Sequence, residues 1–225
     1  MRWDVVGLVL GWTIRLIALP LLIVSLFSIY EDGLSYSVKT YFLPLFISGI
    51  LGQLMISLSK GYETSNRVRD KEAFASVALG WIPVVLIGAL PFWLGGMFYG
   101  PFEFISGDAS FRQIAQGALY SWFESMSGFT TTGASVIDQS SSPICKKMFE
   151  EGILNDCIGS QPKSLLLWRS LTQWFGGMGV IMLGLLIFSR ALGGGKALAR
   201  AELTGPTVSN LSTTLEGTAR KLWAI

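Results

Sequence analysis

Histidine is missing altogether from this 225-residue sequence. No Ser-His-Asp triad, His-ligated zinc or haem, or imidazole acid–base pair can be built from it. Cysteine is almost missing too. Cys145 and Cys157 are the only two, too few for a four-cysteine zinc site within the chain or for a disulfide-dense scaffold. Charge is scarce: 14% of residues are charged, against about 25% in ordinary soluble domains. The 17 Lys and Arg nearly balance 15 Asp and Glu, so there is no electrostatic footprint for nucleic acid. With 51% hydrophobic residues, the class that remains is a protein of the bilayer.

Crossing the hydrocarbon core takes about 20 mainly apolar residues in a helix. Residues 5–30, 41–58, 73–99 and 164–188 have the length and content for it. Pro20, Pro44, Pro83 and Pro91 lie inside them, and neighbouring helices in lipid re-satisfy the carbonyls that proline frees. The first stretch reads as a retained helix rather than a cleaved leader, because Arg15 splits the apolar run and no small-x-small site follows. With the N-terminus inside, Arg2, Lys60, Arg67, Arg69, Lys71, Arg190, Lys196, Arg200, Arg220 and Lys221 face the cytoplasm. Lys39, Arg112, Lys146, Lys147 and Lys163 face out. That bias towards the inside favours a cytoplasmic N-terminus.

On this topology residues 138–163 face out. Cys145 and Cys157 both lie there, where a disulfide can persist. A bridge between them would staple the loop and do no chemistry; two unlinked thiols are the alternative.

Residues 109–128, ASFRQIAQGALYSWFESMSG, are helical in pattern, with Ile114, Ala118, Trp122 and Met126 four apart. Yet Arg112, Gln113, Gln116, Ser121, Glu124, Ser125 and Ser127 are too many polar groups for a lipid-facing span. Two placements are open: an amphipathic helix flat on the outer surface, or a re-entrant helix that enters the membrane and returns. The second survives only where protein or a water-filled cavity surrounds it.

The residues that follow favour re-entry. Phe129-Thr130-Thr131-Thr132-Gly133-Ala134-Ser135 sets three threonines before a glycine directly after the helix. An extended Thr-Thr-Gly strand offers backbone carbonyls that replace the water around a dehydrated cation. Gly133 can take the positive φ that helps such carbonyls point one way. The C-terminal end of the preceding helix carries partial negative charge, which also favours a cation.

Trp122-Phe123-Glu124-Ser125-Met126-Ser127-Gly128-Phe129 running into residues 130–135 resembles the first pore loop of the Trk/Ktr/HKT superfamily of cation transporters. Trp168-Arg169 with Gln173-Trp174-Phe175-Gly176-Gly177-Met178-Gly179 resembles the helix after that loop in the TrkH-type bacterial branch. Arg200-Ala201-Glu202-Leu203 with Gly205-Pro206 resembles the cytoplasmic connector beyond it. The resemblance implies an all-α integral membrane fold: two N-terminal transmembrane helices, then one helix–re-entrant pore loop–helix unit of a potassium-channel-like fold. Residues 1–60 would hold the extra pair and 61–190 the first pore unit, with pore helix 111–128 and filter 129–135. Residues 191–225 would be the connector and the start of the next unit. Three further pore units are expected in the complete transporter, so one strand supplies about a quarter of the ion's coordination.

The resemblance also implies that Thr131 and Thr132, beside Gly133, coordinate potassium, with Thr130 a less certain neighbour. The transported ion is then potassium, and the location is the cell inner membrane with the filter facing outside. The implied partners are membrane lipid, a second copy in a homodimer, and a cytoplasmic nucleotide-binding regulatory subunit of the TrkA type. No covalent step is expected, since Glu103, Glu124 and Asp138 form no acid–base pair on a shared helical face. A non-conducting accessory or assembly fragment is the alternative to uptake.

Several residues have two readings. Arg169 lies inside a span, where a charge needs a partner; Glu124 is the carboxylate chosen for it, as support behind the filter. Otherwise Arg169 snorkels to the outer interface. Gly176, Gly177, Gly179 and Gly184 suit close helix packing, and Gly193-Gly194-Gly195 a cytoplasmic turn. Trp3 and Trp168 are expected as interfacial anchors. Arg15, near mid-span, faces a partner carbonyl or a protein interior, or marks a span that begins later.

Overall fold

The computed structural model describes residues 2–59, 70–102, 109–153 and 156–191, without the side chains of 70, 71, 73 and 178–191. Among these residues there are helices and turns and no strand. The chain divides into two compact units, Met1–Gln173 and Trp174–Ile225.

In the first unit, α1 runs Trp3–Glu31 with Pro20 inside. Gly33, at φ 95°, turns the chain. A short α2, Leu34–Ser37, passes through a π turn, Val38–Phe42, into α3, Leu43–Leu58. The second span therefore begins at Leu34 rather than residue 41. Pro44 has no N–H to give the preceding turn, and the wider π turn just before it takes up that break. Glycines set the α1–α3 crossing. A Cβ on Gly11 would stand 2.9 Å from the Gly52 carbonyl oxygen, and one on Gly52 would stand 2.8 Å from the Arg15 nitrogen. Small residues let membrane helices come this close.

α4 runs Asp70–Leu94 and carries Pro83 and Pro91. It ends before the expected residue 99, where Gly95 and Gly96 follow, the latter at φ 79°. Its start is pinned to the N-terminus, since Arg2 donates from Nε and Nη2 to the two carboxylate oxygens of the buried Glu72, at 2.8 and 2.6 Å.

α5 is Phe111–Phe129 and α6 is Pro143–Glu150, a helix the sequence reading left inside the outer loop. α7, Lys163–Ala191, covers the fourth expected span and extends past Gln173 into the second unit. Its first residues are tied to the end of α1: Lys163 pairs with Glu31 at 2.6 Å, and the Ser164 N–H donates to Asp32 at 3.3 Å.

Of the second unit, Trp174 and Phe175 meet edge to face with centroids 5.0 Å apart. The glycine turn at 193–195 and the connector motif at 200–206 lie outside the described residues, as does Glu103.

Three described helices are long and apolar enough to cross a membrane: Trp3–Glu31, Leu34–Leu58 and Phe74–Leu94. The chain is an all-α membrane protein.

Candidate ion-coordinating site

α5 starts on a capping box. The Ser110 hydroxyl accepts the Gln113 N–H at 3.4 Å, and the Gln113 side-chain oxygen accepts the Ser110 N–H at 2.9 Å. Beyond that cap the helix is inside out. Gly117, Ser121, Glu124, Ser125, Ser127 and Gly128 are buried, whereas Leu119, Trp122, Phe123 and Met126 are 36–60% exposed. The apolar stripe seen in the sequence is thus not the packed face.

Neighbouring helices supply a polar seat for that face. The Ser125 hydroxyl donates to the Val85 carbonyl at 2.8 Å, and the Trp93 indole donates to the Ile114 carbonyl at 3.2 Å. Glycines permit the approach. Gly117 abuts the Tyr99 carbonyl, Gly128 abuts the Thr172 hydroxyl, and a Cβ on Gly88 would lie 2.6 Å from the Phe129 ring.

Trp168 corrects an expectation. It is fully buried and donates its indole N–H to the Gly88 carbonyl at 2.9 Å. It locks α7 to α4 instead of anchoring at the lipid interface. Trp3, 65% exposed at the start of α1, is open to an anchoring role.

After α5 the chain doubles back on the helix end. The N–H groups of Thr130, Thr131 and Thr132 donate to Met126, Gly128 and Ser127 carbonyls at 2.9, 2.9 and 3.0 Å; Gly133 donates to Ser127 at 3.4 Å. Thr131 has φ 56° and Gly133 φ 72°. With the N–H groups all turned inward, the carbonyls of Thr130 to Gly133 accept no hydrogen bond among the described residues. Main-chain oxygens without a partner are avoided where they are buried. Here they are gathered on four successive residues, and Thr131 to Ser135 are exposed. The left-handed Thr131 had no signal in the sequence, because a β-branched residue at positive φ is an outlier. Ser127 was likewise unassigned; its hydroxyl donates to the Ala134 carbonyl at 2.7 Å and closes the turn.

Glu124 holds this turn from behind. Its side chain is 0% exposed. Oε1 accepts the Ser135 hydroxyl at 2.6 Å and the Val136 N–H at 2.8 Å, and Oε2 accepts Arg169 Nε at 3.1 Å. One carboxylate therefore joins α5, the residues after the glycine and α7. Arg169 is only 21% exposed, so it is packed against its partner and not extended into the interface. Gln173, one turn further on, places its amide nitrogen 3.5 Å from where a Gly133 Cβ would sit.

Outside the turn, Asp138 caps its own loop. Oδ1 accepts the Ser140 hydroxyl at 2.7 Å and the Ser140 and Ser141 N–H groups at 2.8 Å each. These bonds, the Ser140 hydroxyl first, hold its carboxyl below the usual range. Cys145, fully buried on α6, is bridged to Cys157 with Cα atoms 5.1 Å apart.

The described residues thus form a helical membrane protein that carries unpaired main-chain carbonyls on a strapped turn. The chain is a relative of the Trk system potassium uptake proteins, as the residues from Trp122 onward implied. It is 30% identical over 199 residues to the Trk system potassium uptake protein TrkH of Salmonella typhimurium, covering 88% of this chain and 33% of that protein. To TrkH of Halomonas elongata it is 30% identical over 207 residues (92% and 34%), and to TrkG of Escherichia coli 28% over 215 residues (95% and 36%). The chain spans about a third of the length of the curated relatives it matches. No family model matches it, and no solved structure does.

Proposed function

We propose that this chain carries one pore unit of a Trk-type potassium uptake protein, with residues 129–135 as one strand of the selectivity filter. The carrying observation is the run of unpaired carbonyls from Thr130 to Gly133. Oxygens fixed in this way exchange for the hydration shell of a dehydrated cation, and permeation involves no bond making or breaking. Thr131, Thr132 and Gly133 coordinate potassium, with Thr130 beside them. Glu124 and Arg169 keep the strand from collapsing into the space the ion leaves. α5 is re-entrant: its buried polar face needs protein around it, and its length of 19 residues with so many polar groups does not suit a lipid-facing span. One strand surrounds about a quarter of an ion, so further pore units complete the site. The N-terminus is cytoplasmic and the filter opens outward in the inner membrane, as the Lys and Arg bias favours. The complete protein is a homodimer with a cytoplasmic nucleotide-binding regulatory subunit.

Gly133→Val in the complete assembly is the test. Valine is strained at φ 72°, so the carbonyls rotate and preference for potassium over sodium falls. Unchanged selectivity in flux measurements sinks the filter assignment.

The share of the relatives that this chain spans favours a second reading, a non-conducting accessory fragment. Potassium-limited growth of a transport-deficient strain carrying this chain alone separates them: rescue requires self-assembly, and no rescue favours the fragment.

A further inference from the structure

Arg15 has no carboxylate partner among the described residues; the ion pairs there are Arg2–Glu72, Lys147–Glu151, Lys163–Glu31 and Arg169–Glu124. It is exposed on the α1–α3 pair. Its guanidinium lies 5.5 Å from the centre of the Trp12 ring, and Nη1 donates to the Gln53 side-chain oxygen at 2.8 Å. Gln53 passes the polarity on, donating to the Ser57 hydroxyl at 3.3 Å. Those neighbours are neutral, so the positive charge is solvated locally but not compensated among the described residues. Around it Leu16, Leu19, Ile50 and Leu54 are 50–66% exposed, an apolar surface suited to acyl chains.

Depth makes the charge informative. α1 has 29 residues, about 43 Å at 1.5 Å each, and the hydrocarbon core is about 30 Å. Centred in that core, α1 puts Arg15 roughly 11 Å inside the boundary nearer its N-terminus. A lone charge there costs about 2.5–3.5 kcal/mol even on the mildest scale. Side chains on a helix tilt towards its N-terminus. The steps from Arg15 to Gln53 to Ser57 run towards the same boundary, where Ser59 of the antiparallel α3 end meets Gly7. Snorkelling and local thinning around an intramembrane arginine narrow the remaining gap.

We propose that the Trp12–Arg15–Gln53 patch binds the phosphate of an anionic phospholipid in the leaflet on the N-terminal side, drawn below the plane of its neighbours. A guanidinium holds phosphate through paired N–H donors. The indole face meets the same guanidinium from its other side, and the flanking leucines receive the acyl chains. The chemistry requires a monoanionic phosphodiester whose headgroup brings no cation of its own, as in phosphatidylglycerol; phosphatidylcholine and phosphatidylethanolamine carry an ammonium that competes for the phosphate.

The full chain, purified in mixed micelles of phosphatidylglycerol and phosphatidylcholine and then examined by native mass spectrometry, tests this. The wild type retains phosphatidylglycerol selectively. Arg15→Gln lowers that preference about tenfold, the factor given by ~1.4 kcal/mol, and Arg15→Lys keeps the charge and part of the preference. Equal retention by wild type and Arg15→Gln overturns the proposal. A photo-crosslinking residue in place of Leu54 adds a readout in the wild-type background that does not depend on the Arg15 variants folding. Adducts of phospholipid mass are expected there, and adducts to another polypeptide assign the face to a protein partner and overturn the lipid site.

Discussion

Trp168 on α7 donates its indole N–H to the carbonyl oxygen of Gly88 on α4 at 2.9 Å, and Gly88 in turn abuts Ser125 and Phe129 of α5. Gly88 has a second duty, because any side chain there would run into Phe129 and the Ser125 hydroxyl. Gly88→Ala is expected to destabilise by about 1–3 kcal/mol through overpacking. Trp168→Phe, which removes the donor and opens a small gap, costs about 1–2 kcal/mol. Thermal unfolding of each variant in detergent checks both values. In the complete assembly proposed above, Gly88→Ala also displaces the end of α5, so potassium selectivity is expected to fall more than with Trp168→Phe.

Glu124 and Arg169 act as a unit in the same wall. Glu124 has three donors around it; removing Arg169 leaves a buried carboxylate short of its countercharge. Arg169→Met is expected to cost about 3–5 kcal/mol. Glu124→Gln keeps an acceptor for Ser135 and Val136 and costs less. A double-mutant cycle read by chemical unfolding gives a coupling above about 1 kcal/mol for contacting charges. Additive single changes contradict the pairing.

The bridge between Cys145 and Cys157 closes a loop with a sequence separation of 12. A loop of that size contributes about 3 kcal/mol in the chain-entropy picture. Reduction, or the double change to serine, lowers the unfolding temperature. In the complete assembly proposed above, ion selectivity stays as it was, because neither cysteine bonds to residues 130–133 among the described residues. A selectivity change on reduction ties the outer loop to the filter.

Asp138 titrates below an ordinary aspartate because Ser140 and Ser141 bond its carboxylate. A depressed folded pKa means the contribution is fully present above the unfolded value of about 3.9 and disappears as pH falls through the lower folded value. Ser140→Ala removes the largest of those bonds, so the titration midpoint moves up towards that of free aspartate. Carboxyl carbon NMR of the labelled loop reads the midpoint directly; an unmoved midpoint refutes the cause.

What could be read in advance follows from where the physical signal lies. Long apolar runs announced α1, α3, α4 and α7, since only lipid or a core tolerates them. The polar density of residues 112–127 marked a helix unlike the apolar spans, and in the fold its polar side is the buried one. The ends were less legible. Lys39 and Pro44 made residue 41 look like the start of a span, because the five-residue π turn Val38–Phe42 leaves no compositional trace. Gly95 and Gly96 stop α4 at Leu94, inside the apolar run that continues to residue 99. Trp168 read as an anchor from its place near a helix start, and only the partner carbonyl on α4 shows otherwise. Thr131 at positive φ is set by four inward N–H bonds and by nothing in its own side chain. The partner of Arg15 was open for a similar reason: Gln53 is 38 residues away, and no local pattern joins them.

The reversed polarity of α5 also dictates an order of events during biogenesis. A segment with serines and a glutamate along one side and leucine and tryptophan along the other has no stable home in lipid by itself. It must wait until the helices before and after it have been threaded, then slide into the cleft they form. Without α7 the buried side of α5 lacks the Arg169 partner that its Glu124 carboxylate needs.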